Sequence, residues 1–453
     1  MIEMKRFRLK MNSKYIFPYK ESTLSILFIL FLNPIFAQKK NPDISIFIDN
    51  LFHITEVMVT DVASPPAAAR FYAYSTLAAN LAWDQANMIP IEESLISKSN
   101  HYIPSITDDT GNINPHFVAT YSMLEVGKQL MPSGKLLSYK QENLIDLFIK
   151  SKWIPKKQLD QNLNFARSVA MQILTIAYND NYNRLSTLTR YSPKNKEGYW
   201  YPTPPAYMGA IEPEWRTIAP FFIQNLSLYK PKPPAPFSLD QGSSFRLQLE
   251  EVYHVTSNLE EESKLIANFW DCNPFMVQYS GHMAIGIKKI SPGGHWVGIT
   301  GIASQKAQLN WQETLYIHAL VSMGLHDAFI SCWEEKYDSD RVRPESAINK
   351  YLDESWRPLL QTPPFPEYTS GHSVVSSMSA ELLTHYFGDN FDFIDTSEVY
   401  FGLPERPFSS FYQAAEEAAV SRLYGGIHFR DAIEEGTNQG KSIGQYILKR
   451  VDP

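Results

Sequence analysis

The sequence predicts an all-α protein built of helical bundles. Three observations carry that prediction. Apolar residues recur at three- and four-residue steps over long stretches on both sides of a proline-rich middle. No set of alternating apolar and polar runs of strand length stands out. Hydrophobic content of 44% and aromatic content of 13% supply a globular core in a chain of 453 residues, long enough for two packed units.

Taken in order, the N-terminus reads as an export signal, residues 1–37. Lys5, Arg6, Arg8, Lys10, Lys14 and Lys20 precede an apolar run from Leu24 to Leu32, and Ala37 before Gln38 is the expected cleavage point. The run is short for a membrane span, so a periplasmic or secreted protein without a stable membrane anchor is expected. Residues 38–240 form the next region. From Asp43 to Tyr182 it reads mostly as helix, with clear segments from Pro66 to Asn80 and from Asn162 to Leu174. Between Tyr199 and Ser238, prolines at 202, 204, 205, 213, 220, 231, 233, 234 and 236 forbid a long helix. The Trp and Tyr residues there suit an ordered connection that wraps the body.

Residues 241–453 return to helical texture. Trp311 to Trp333 is a strong helix with Asn310 as N-cap. Further helices are expected from Ser370, from Ser410 to Leu423 and from Phe429 to Leu448. A net charge of −7 argues against a nucleic-acid partner. Cys272 and Cys332 are too few for a disulfide framework. His254, His282, His295, His318, His326 and His385 lack a clear metal-ligand spacing, and most read as structural. His295, in Ser-Pro-Gly-Gly-His-Trp, reads as a loop residue that could reach an active site. Asp327 reads as a solvated residue, or as one that orients a base.

Three motifs in the last region carry chemistry: Lys336 with Arg343-Pro344, then Ser370-Gly371-His372, then Ser421-Arg422 with His428. Helix-start N–H groups lack intrahelical partners and favour an anion, so Ser370 and Gly371 suit an oxyanion. His372 would move protons beside it. Lys336 and Arg343 are seven residues apart, which returns to one helical face, although Asp338-Ser-Asp340 and Pro344 favour a turn between them. Arg422 and His428, six apart, would diverge on one helix; Gly425-Gly426 suggests a break that lets them converge. Each piece alone has an ordinary reading: Ser and Gly cap helices, and a lone Arg is usually a surface charge. The ordered set together argues for a single basic cup around a tetrahedral oxyanion.

That set resembles the acid phosphatase and vanadium haloperoxidase superfamily, which includes the type 2 phosphatidic acid phosphatases. Its signature is Lys, six residues, Arg-Pro; then Pro-Ser-Gly-His; then Ser-Arg, five residues, His. The chain departs once, with Thr369 in place of Pro. The resemblance implies the family's helical fold for the last 150 or so residues. In the haloperoxidase branch it implies vanadate as cofactor, and hydrogen peroxide and halide as substrates. His428 would be the metal ligand. Lys336, Arg343, Ser370, Gly371 and Arg422 would hold the oxygens, and His372 with Lys336 would assist catalysis. In the phosphatase branch, His428 would instead attack phosphorus to give a phosphohistidine, and His372 would protonate the leaving alcohol. Phe365-Pro-Glu-Tyr-Thr-Ser-Gly-His resembles the extended chloroperoxidase motif, and Trp333 with Phe365 would form the halide pocket, so the haloperoxidase branch is favoured. The whole chain most resembles secreted bacterial iodoperoxidases, which implies iodide as the halide.

Overall fold

The structure, a computed structural model, describes residues 41–103, 111–280 and 283–452. The expected export signal and His282 lie outside the described residues. Among the described residues, five helices precede the proline-rich segment: α1 (Ser45–Thr60), α2 (Pro65–Ala86), α3 (Pro115–Leu130), α4 (Ser138–Lys150) and α5 (Leu159–Tyr178). Eight follow it: α6 (Ser244–Ser257), α7 (Glu261–Phe269), α8 (Pro292–Lys306), α9 (Trp311–Ser339), α10 (Pro344–Tyr351), α11 (Gly371–Phe387), α12 (Phe411–Tyr424) and α13 (Arg430–Val451). The all-α expectation holds. Among the described residues there are also two small antiparallel hairpins. One is β1 (Val277–Ser280) with β2 (Met283–Gly286); the other is β3 (Phe393–Asp395) with β4 (Arg406–Phe408). Three- and four-residue strands are too short to show a two-residue alternation in sequence.

Two helices that lie far apart in sequence form the spine. In α2, Ser64 accepts the Ala67 N–H, and Pro65-Pro66 fills the first turn, where no intrahelical donor is needed. Its small residues are buried on all sides, so its neighbours approach closely. In α9, Asn310 and Glu313 form a reciprocal capping box. Though α9 is long and apolar enough to span a membrane, 94% of its most apolar window is buried inside the protein. It is the central core helix. The pairs α2–α3 and α2–α9 pack against each other, as do α11–α12 and α11–α13. One continuous core therefore contains residues from both sides of position 240. On α13, Gly440 lies so close to α11 that a Cβ there would fall 2.1 Å from the Val374 carbonyl oxygen.

The proline-rich segment is tied down by backbone bonds. Trp200 N–H donates to Asp340 O (2.8 Å), Ile211 N–H to Pro364 O (3.1 Å), and Gly198 O accepts from Val342 N–H (2.9 Å). Its anchor is Asp327. This carboxylate is fully buried and accepts the N–H groups of Phe221 (2.7 Å), Phe222 (2.7 Å) and Ile223 (2.8 Å). Asp327 is thus neither solvated nor set against a base. It satisfies the backbone of an irregular segment that has no ladder of its own. His326 and His318 bond backbone carbonyls, Ala219 O and Thr314 O. His385 faces Asp452 at the surface.

Candidate active site

The three motifs meet at one end of α9, α11 and α12. Helix α9 stops at Ser339 because Asp340 adopts the left-handed conformation (φ 50°, ψ 35°). The chain then turns back, Arg343 is extended, and Pro344 opens α10. The turn is the geometry that brings Lys336 and Arg343 to the same place. Helix α12 ends at Tyr424, and Gly426 takes φ +74°, a conformation that favours glycine. That break lets Arg422 and His428 face one centre. Ser370 caps α11 by accepting the Ser373 N–H (3.3 Å) and the Ser373 hydroxyl (2.9 Å). Its own hydroxyl proton is engaged in neither bond.

His428 Nδ1 lies 2.9 Å from Glu367 Oε1, and its Nε2 lies 3.1 Å from Arg343 Nη1. The carboxylate fixes the tautomer with the proton on Nδ1, which leaves a lone pair on Nε2. Burial drives the His428 pKa well below the usual histidine value, and Arg343, Lys336, Arg422 and Arg341 push the same way. The ring is therefore neutral. Glu367 is fully buried; its Oε1 also accepts the Phe429 N–H (2.9 Å), and its Oε2 faces Arg341 (3.4 Å).

Arg343 donates from Nε to Phe365 O (2.9 Å) and from Nη1 to Ile427 O (2.9 Å), while its buried Nη2 has no partner. Burial lowers its pKa to about 10, so it stays charged. Arg422 donates to Ser421 Oγ (2.9 Å) and Trp270 O (2.7 Å). Lys336 is fully buried, and its Nζ donates to the carbonyls of Pro366 (3.2 Å), Glu367 (3.1 Å) and Thr369. All three ammonium protons are thus spent on backbone, and the lysine lies behind the cavity wall as a point charge. Burial brings its pKa down to about 8.

His372 lines the cavity, and its Nε2 is enclosed and unpartnered. Burial and then Arg422 hold it well below the usual histidine pKa, so it too is neutral. Trp333 and Phe365 form an aromatic wall with ring centroids 4.9 Å apart. The cavity itself measures about 40 Å³ and is lined by Gly371, His372, Arg422, His428, Trp333 and Phe365, among others. That is room for roughly three water-sized spheres. Every residue expected at the site is gathered around it, though Lys336, Arg343 and Ser370 stand behind the lining.

Two contributors were not singled out in the sequence. Glu367 occupies the variable position of Phe-Pro-Glu-Tyr, and an acidic residue within that apolar loop was the available signal. The Trp270 carbonyl, which braces Arg422 (2.7 Å), leaves no signal, because every residue has a carbonyl. His295 lies on α8, not in a loop; Ser291 caps that helix and Pro292 opens it.

The chain has relatives of known structure. A bacterial vanadium-dependent iodoperoxidase superimposes with a TM-score of 0.83 at 39% identity, covering 91% of this chain and 97% of that one. Holo and apo structures of a bacterial vanadium-dependent chloroperoxidase superimpose with a TM-score of 0.61 at 15% and 14% identity, covering 86% of this chain and 94% of theirs. These two show a shared fold. Residues 349–452 match the family described as the VCPO second helical-bundle domain. Comparison with curated protein sequences gives no match.

Proposed function

The chain belongs to the vanadium-dependent haloperoxidase family, and from that premise we propose that it oxidises halide with hydrogen peroxide to hypohalous acid, with iodide the preferred halide. One observation carries this reading: a neutral histidine, His428, presents a lone pair at Nε2 beside two buried guanidinium groups, with a carboxylate fixing its other nitrogen. A buried, unpartnered Arg343 Nη2 suits an oxyanion there.

Vanadate, when bound, supplies a Lewis-acidic centre that polarises peroxide for attack by halide. His428 Nε2 would bond the vanadium. Arg422 and the N–H of Gly371 at the start of α11 would donate to its oxygens, with Arg343 and the Ser370 hydroxyl adjoining them from behind the lining. Lys336 adds positive charge from behind the wall. His372, which lines the cavity, would take a proton from incoming peroxide. Trp333 and Phe365 provide a polarisable surface for the halide. Iodide is the easiest halide to oxidise, and the iodoperoxidase relative at 39% identity supports it.

The test is direct. Purified protein is loaded with vanadate and given peroxide with iodide, bromide or chloride separately. Vanadate-dependent oxidation, fastest with iodide, is expected. Hydrolysis of an aryl phosphate without halide oxidation would replace this reading with the phosphohistidine one. We also propose export with cleavage after Ala37; N-terminal sequencing of the mature protein should begin at Gln38.

A further inference from the structure

A second buried cluster lies beside the active-site cavity. It consists of Cys272, between α7 and β1, His295 on α8, and Glu398, between β3 and β4. Their exposures are 2%, 0% and 3%. Cys272 Sγ lies 3.5 Å from His295 Nδ1 and 3.9 Å from Glu398 Oε1, and the latter two are 3.2 Å apart. Tetrahedral zinc with ordinary bond lengths to sulfur, nitrogen and oxygen would set these edges at about 3.6, 3.5 and 3.3 Å. The Cys272–His295 and His295–Glu398 edges lie close to these values, and the Cys272–Glu398 edge is longer, so small side-chain shifts would complete one face of a tetrahedron.

The outer side of His295 has the matching arrangement. Its Nε2 lies 2.7 Å from Asp395 Oδ2, and Asp395 Oδ1 is held by the Ser397 N–H (2.9 Å) and hydroxyl (2.7 Å). A carboxylate on the far nitrogen of a ligating histidine fixes the tautomer and raises the basicity of the near nitrogen. From these distances we propose that Cys272, His295 and Glu398 form a zinc site, distinct from the proposed vanadate site.

The charge balance allows it. With a proton on both ring nitrogens and on the thiol, the four side chains carry a net charge of −1. Zinc displaces the Nδ1 and thiol protons to solvent, and the sum remains −1. The metal thus replaces two protons without changing the net charge of the cluster. The mixed sulfur, nitrogen and oxygen donors in a tetrahedral setting favour zinc over calcium or magnesium. A water would supply the fourth ligand; Cys272 also lines the neighbouring cavity. The site would tie three distant stretches of chain together. It would also steady Trp270, whose ring stacks on His295 at 4.3 Å and whose carbonyl braces Arg422.

The experiment uses the full purified chain, stripped with a chelator and titrated with cobalt(II) and zinc separately. Expected are one metal per chain after gel filtration and a thiolate-to-cobalt charge-transfer band. Cys272→Ser should lose the band, while Cys332→Ser and His428→Ala should keep it. Asp395→Asn should weaken zinc binding by about 10–100-fold, with circular dichroism checking that each variant folds. Wild-type protein that retains neither metal, or a band that survives Cys272→Ser, overturns the site. Neither result depends on peroxidase activity.

Discussion

His428 and His295 are both buried histidines facing a carboxylate, yet their surroundings reverse their charge. Around His428 stand Arg343, Lys336, Arg422 and Arg341, and the imidazole is held neutral. Around His295 stand Asp395 and Glu398. Burial opposes its ionisation, but in the metal-free protein these carboxylates hold its pKa well above the usual histidine value. The histidine–carboxylate pair therefore does not define the chemistry. The third and fourth charges decide whether the pocket attracts an anion or a cation.

The strongest test of that contrast is His428→Ala. In equilibrium dialysis, vanadate binding should disappear while folding is kept; unchanged occupancy would remove His428 as the ligand. Next comes Glu367→Gln, which leaves a neutral acceptor opposite Nδ1. Vanadate affinity should drop by about 10–100-fold, as for other partners of metal-bound histidines. An unaltered affinity would mean that the carboxylate only supports the backbone of Phe429.

A pH series gives a smaller effect. Lys336 is protonated below its folded pKa of about 8 and neutral above it. Affinity for vanadate should therefore weaken as pH rises through about 8. The unbound protein should behave in the opposite way. The lysine's folded pKa lies below its unfolded value, so the unfolded chain binds more protons between about 8 and 10.5, and this group adds stability as pH rises through that window. Lys336→Met should flatten both trends. The smallest change expected is in Trp333→Phe, which keeps an aromatic wall but removes the Nε1 bond to Ile211 O (3.3 Å). It should alter the iodide-to-bromide rate ratio by severalfold and leave vanadate affinity nearly unchanged; an equal loss for both halides would separate Trp333 from halide selection.

The site was more legible in sequence than the fold's inner connections. Lys336, Arg343, Ser370, Gly371, His372, Arg422 and His428 sit in short motifs whose residue types are unusual together. The helix caps at Asn310 and Ser370 follow from local hydrogen-bond chemistry that a few neighbouring residues specify. Asp327 was misread because its three backbone partners lie more than a hundred positions away. His295 was placed in a loop because two glycines precede it, whereas the Ser291 cap and buried packing keep that stretch helical.

The sequence by itself determined the all-α class, the break at Gly425-Gly426 and the inventory of basic and histidine side chains, since these rest on local periodicity, backbone freedom and residue chemistry. Only the tertiary structure decided that Lys336 spends its protons on carbonyls, that Glu367 fixes the tautomer of His428, and that Cys272, His295 and Glu398 converge. Those outcomes depend on burial and on which distant charges share a pocket, and neither quantity exists until the chain has folded.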